Sequence, residues 1–191
     1  MRYIILLSLF LLSGCSMKEA PVMKVYSLVV PSITPVSHAR YRNKILKVSY
    51  PIALSEKLND RMNYSYSLTD KGEYLNSRWS NDTGKLLQGS VIQMLTESRI
   101  FKVVVPFASD VEENLRLEST VFDFSHHVRG ESSYAVVSIQ FTLMNAETGK
   151  LVKARRFRYR EPTATIDAKG YVEATNRIMG RLGHDLVNWL R

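Results

Sequence analysis

The 191-residue sequence has one cysteine, Cys15, so no disulfide can form within the chain and no paired-cysteine metal site can be built. It has no G-x-x-x-x-G-K-[ST] loop to cradle nucleotide phosphates, no H-E-x-x-H helix and no G-x-S-x-G elbow. No apolar run reaches the roughly 20 residues that span a bilayer as a helix. Long Pro/Gly/Ser linkers, low-complexity tracts and internal repeats are missing as well, which argues for one domain. Histidines are few: His38 and His184 are isolated, and the adjacent pair His126 and His127 lies near Asp123. Neighbouring residues of a strand point to opposite faces, so that pair is poorly placed to ligate one metal. These absences lead to the expectation of a non-catalytic protein with no cofactor and no metal.

What is present starts with Arg2 and an apolar stretch from Tyr3 to Leu12 that ends in Leu12-Ser13-Gly14-Cys15. The stretch suits a cleaved signal peptide. Its end matches a lipobox, where small residues expose the bond preceding a nucleophilic thiol. Residues 1–14 are therefore expected to direct export, with Cys15 the lipid-modified residue carrying fatty acyl chains such as palmitate. Two or three chains hold a protein on a membrane stably, at about 0.8 kcal/mol per buried methylene. Residues 15–24 then form a tether and residues 25–191 a single domain. Ser16, in place of the aspartate that usually retains lipoproteins in the inner membrane, points to the periplasmic leaflet of the outer membrane. Removing residues 1–14 from 191 leaves 177 residues and a formal charge of +7, which suits anionic lipid or an acidic protein. Export sets nucleic acid aside as a partner.

Periodicity supplies the elements. Segments 24–30, 44–50, 61–68 and 100–105 read as short strands, with Tyr64 and Tyr66 on one face. Asn81 or Asp82 caps a helix whose apolar positions are Leu86, Leu87, Val91, Met94 and Leu95. A longer strand over 115–128 loses its alternation near Phe122 and Phe124, which predicts a bulge. Ala135, Val137, Ile139, Phe141 and Leu143 alternate with polar residues and lead into the turn Glu147-Thr148-Gly149-Lys150, with 151–159 returning as a hairpin partner. A last helix, about 167–190, carries Tyr171, Ala174, Ile178, Leu182, Leu186 and Trp189 along one stripe. The expected fold is α+β, a mostly antiparallel sheet with two long helices packed on one face.

The sharpest basic concentration is Lys150, Lys153, Arg155, Arg156, Arg158 and Arg160, interleaved with Phe157 and Tyr159. One reading is a solvated edge strand that uses positive charge to discourage unwanted pairing. The other is a contact surface for anionic head groups or an acidic partner, with Arg155, Arg156 and Arg158 as candidates. Alternation puts Arg156 and Arg158 on one face, Lys153 and Arg155 on the other.

Several features in sequence order resemble a known family. They are Tyr26-Ser27-Leu28 soon after the cysteine, Ile45-Leu46-Lys47-Val48 followed by Pro51 and Leu54, and Tyr64 ahead of Arg78-Trp79. The Leu86 to Leu95 helix with Ser98 and Phe101-Lys102-Val103, the 135–143 strand leading to Glu147-Thr148-Gly149, and the terminal Trp189-Leu190 continue the pattern. In these the sequence resembles the ABC-type transport auxiliary lipoproteins that accompany mammalian-cell-entry (MCE) lipid transport systems, including the paraquat-inducible system. The resemblance implies an outer-membrane docking component that meets an MCE-domain protein of a periplasm-spanning transporter, with energy from an inner-membrane ATPase. It also implies a ring-like homo-oligomer. The alternative is a structural adaptor lipoprotein of another envelope machine, in secretion or outer-membrane assembly.

Overall fold

The computed structural model describes residues 21–54 and 58–191. Cys15, Ser16 and the expected signal peptide lie outside the described residues. Nine strands form one sheet: β1 (Lys24–Tyr26), β2 (Ile45–Val48), β3 (Ile52–Ala53), β4 (Arg61–Ser65), β5 (Lys71–Trp79), β6 (Val103–Pro106), β7 (Leu115–Arg129), β8 (Ser132–Asn145) and β9 (Leu151–Pro162). Two helices, α1 (Thr83–Ser98) and α2 (Ala168–Leu190), pack against it.

β7 is the trunk. Along one edge it pairs antiparallel with β8, which pairs antiparallel with β9. Along the other edge it takes β2, β3 and β4 in succession, all parallel. β2 continues to β6 in parallel, while β4 pairs antiparallel with β5, which carries β1 in parallel. Five of the eight strand pairings are parallel, so the sheet is mixed, and the expectation of a mostly antiparallel sheet is wrong. The reason is physical: a hairpin leaves its turn in the sequence, whereas a parallel partner is joined by a long crossover with no local signature. The strands involved are also short, two to five residues for β2, β3 and β4.

The long elements follow their sequence patterns. Asp82 caps α1 by accepting from the N–H groups of Gly84 at 2.8 Å and Lys85 at 3.2 Å, and Leu87, Val91, Met94 and Leu95 are buried. Asp167 caps α2 through Gly170 N–H at 2.8 Å. The bulge in β7 falls between Val121 and Asp123, at the place where alternation fails. Gly149, at φ +65°, turns the chain between β8 and β9. α1 lies over β2 and β6, α2 over β8 and β9, and the two helices touch. Between them and the sheet sits the core, with Trp79 fully enclosed by Phe124 and Tyr171 at ring distances of 5.9 and 5.7 Å. Trp189 is only partly buried, near Phe157 at 6.1 Å, so Trp79 anchors the core and Trp189 trims its rim.

Candidate functional site

β9 is an edge strand whose partner among the described residues is β8 alone. Its alternation separates the basic residues as expected. Lys153 and Arg155 face α2: Lys153 Nζ donates to the Trp189 carbonyl at 2.6 Å, and the Arg155 guanidinium lies 4.8 Å from the Phe157 ring centre. Burial and then the nearby Arg40 charge lower the Lys153 ammonium below its ordinary value. Arg155 is thereby separated from the other two candidates.

Arg156, Arg158 and Arg160 occupy the opposite face of the strand, away from the helices. Arg156 lies flat on Phe122 with its guanidinium carbon 3.5 Å from the ring centre, and its Nε donates to Ser138 Oγ at 3.0 Å. Arg160 covers Tyr134 in the same way at 3.6 Å. Such stacking restrains a guanidinium plane, and a planar guanidinium suits bidentate capture of carboxylate or phosphate. Among the described residues neither Arg158 nor Arg160 has a carboxylate partner.

The bulge completes this surface. Because one residue is extra, Phe122 and Asp123 both reach the outer side, and His127 follows four residues on. His127 Nε2 and Asp123 Oδ2 are 2.9 Å apart, and Ser125 donates to the other carboxylate oxygen at 2.6 Å. Together with Arg129, Ser138 and the β9 arginines they line an open groove of about 520 Å³ across β7, β8 and β9. The basic strand was legible from the sequence, but the participation of Phe122, Asp123 and His127 was not. Their signal was the predicted bulge, since a bulge places consecutive residues on one side.

The two adjacent histidines do point to opposite faces. His126 is completely buried, because β7 is a central strand and the helix side is covered by α2. Its ring is stacked on Tyr171 at 5.3 Å, and its Nδ1 is 2.7 Å from Tyr74 Oη. No group of three metal-ligating side chains occurs among the described residues.

Comparison with known proteins agrees with this fold. Protein XCC0632 from Xanthomonas campestris superposes with a TM-score of 0.77 at 19% identity, covering 87% of this chain and 94% of that one. A second solved structure, an uncharacterized protein, gives 0.68 at 13% identity, covering 89% of this chain and 99% of that one. At these identities the likeness concerns the fold alone. No curated protein matches the sequence. The family model described as "ABC-type transport auxiliary lipoprotein component" matches residues 26–187, nearly the whole described domain, and the chain belongs to that family.

Proposed function

We propose that this lipoprotein is a non-catalytic docking component of an MCE-type ABC lipid transport system, anchored through acylated Cys15 in the periplasmic leaflet of the outer membrane. The groove on the outer sheet face receives an acidic segment of the periplasm-spanning MCE-domain protein. The observation that carries this reading is the set of three arginines on one face of β9, two of them fixed by aromatic stacking and none neutralised by an ion pair among the described residues. Four arginines in one groove, against the single carboxylate of Asp123, make a positive surface that steers and orients an acidic partner. Membership of a transport auxiliary family supports a protein that serves a transporter rather than one that turns over a substrate.

Charge reversal tests it. Arg156 and Arg158 are exposed and outside the core, so Arg156→Glu with Arg158→Glu is expected to leave the melting temperature within a few degrees of wild type. The same variant is expected to lose co-purification with the MCE-domain protein and tolerance of detergent stress. Replacing Asp123 and His127 with Ala should leave both largely intact. Loss of function in the Asp123/His127 variant, with the arginine reversals silent, would replace docking by chemistry at Asp123.

A further inference from the structure

We infer that the end of the domain formed by the β4–β5 hairpin tip, residues 66–70, rests on the phospholipid leaflet, with Leu68, Tyr66 and Leu75 entering its interfacial layer. This orientation rests on the anchored reading above and adds to it the surface that touches lipid.

Strand direction fixes which end is near the anchor. β1 runs parallel to β5 with Lys24 beside Ser77, and β5 begins at Lys71 next to the hairpin tip. β1 therefore starts on its hairpin-facing side, and Met23, just before it, shares a surface depression with Leu75. Cys15 precedes Lys24 by nine residues, a reach of at most about 30 Å. By register through Ser77, Arg78 and Arg61, Lys24 is level with the middle of β7 and nearer the hairpin than the far end, where Leu115 pairs with Asn145. His127 is level with the hairpin, through its pairing with Ser65.

The surface at the near end is of the required kind. Leu68 is 91% exposed, Leu75 82%, Tyr66 51% and Met23 44%. Single exposed apolar residues are ordinary on any protein, but here Leu68 and Tyr66 stand at the hairpin tip while Met23 and Leu75 line one depression on the strands that lead to it. The far end also exposes apolar side chains, Leu151 at 62%, Val111 at 43% and Val103 at 40%, but none to the degree of Leu68, and Lys47 and Arg116 lie over the Phe107 ring at 5.9 and 5.0 Å. Tyrosine favours the head-group level of a bilayer, with its ring in the apolar region and its hydroxyl wet. Tyr66 also stacks edge-on with Tyr64 at 5.2 Å, and the Arg129 guanidinium donates to the Tyr66 carbonyl, so the tip is held in shape. Asp70 and Glu131 at this end are balanced by Lys71 and Arg129, so apolar contact rather than net charge drives the insertion. The hairpin adds its own hold to that of the acyl chains and fixes how the arginine groove stands above the leaflet.

The test uses the full acylated chain in vesicles of phosphatidylethanolamine and phosphatidylglycerol containing a nitroxide-labelled lipid. Cys15 is consumed by acylation, so Leu68→Cys and, separately, Glu147→Cys each offer one thiol for an environment-sensitive fluorophore. Both positions are exposed and outside the core. Label at residue 68 is expected to shift to the blue and lose most of its emission to the nitroxide, while label at 147 stays water-like. A control without a fluorophore asks whether the protein floats with the vesicles. Protein that does not float overturns the anchored reading and the orientation with it. Protein that floats but shows no quenching at 68, or equal quenching at 68 and 147, overturns the orientation alone.

Discussion

At the residue scale the most consequential side chain is His126, a base buried between two tyrosines. Burial, aided weakly by His127 and opposed by Asp167, pulls its imidazole from 6.5 down to about 4. A base depressed in the folded state takes up its proton first in the unfolded chain. Its neutral form therefore supports full stability above about pH 6.5, and stability declines as pH falls toward 4. The expected loss between pH 7 and pH 5 is about 2 kcal/mol. Glu113, held down to about 2 by its bonds to Arg116 and Lys47, loses its contribution only as pH falls below the ordinary carboxylate range, so the two windows separate. Urea denaturation at pH 7 and pH 5 should show the drop in wild type and not in His126→Phe; an unchanged drop in the variant would clear His126 of the effect. Burial discriminates the two tryptophans. Trp79→Ala should cost about 3–5 kcal/mol because the ring is 1% exposed, while Trp189→Ala, at the rim, should cost less than half as much by the same measurement.

At the element scale, α2 depends on its first turn. Asp167 accepts from Gly170 N–H and from the Thr165 hydroxyl, and these bonds lower its carboxyl pKa. Asp167→Ala should destabilise the domain by about 1 kcal/mol, and Asp167→Asn by less, since asparagine also caps. Thermal melts of both variants decide it, equal losses counting against capping. How far the sequence discloses an element depends on length and on how local its partners are. The α2 stripe, the β8 alternation and the β8–β9 turn were legible because each repeats a pattern over many residues or closes on itself. β5 was missed: its register against β4 slips between Arg61 and Asn63, so Tyr74 and Ser77 lie inward while Leu75 is bare, and no single period survives. β3, two residues long, leaves no pattern to read. The candidate site divides along the same line. Arg156 and Arg158 on one face follow from strand period, while Phe122 and His127 depend on which strand lies on the other side of β8.

At the scale of the whole molecule, the proposed anchor would decide where everything else can act. If Cys15 carries the acyl chains, the groove between β7 and β9 works within tether length of a leaflet, and Ser16 governs which leaflet that is. Both residues precede the stretch 26–187 that the family model matches, so changes at either should leave the fold intact and move only the address. Cys15→Ala is expected to abolish incorporation of labelled palmitate and to leave a larger, unprocessed protein with the wild-type melting profile. Ser16→Asp should keep the label and shift the protein toward inner-membrane fractions on a density gradient. The second variant carries the finer argument, because an inner-membrane position would put the groove on the wrong side of the periplasm to receive the far end of a spanning assembly. Transport-linked growth under detergent stress should therefore fail in Ser16→Asp although anchor, fold and arginines are all preserved. Wild-type protein found in the inner membrane, or full function in Ser16→Asp after proven relocation, would count against docking at the outer membrane.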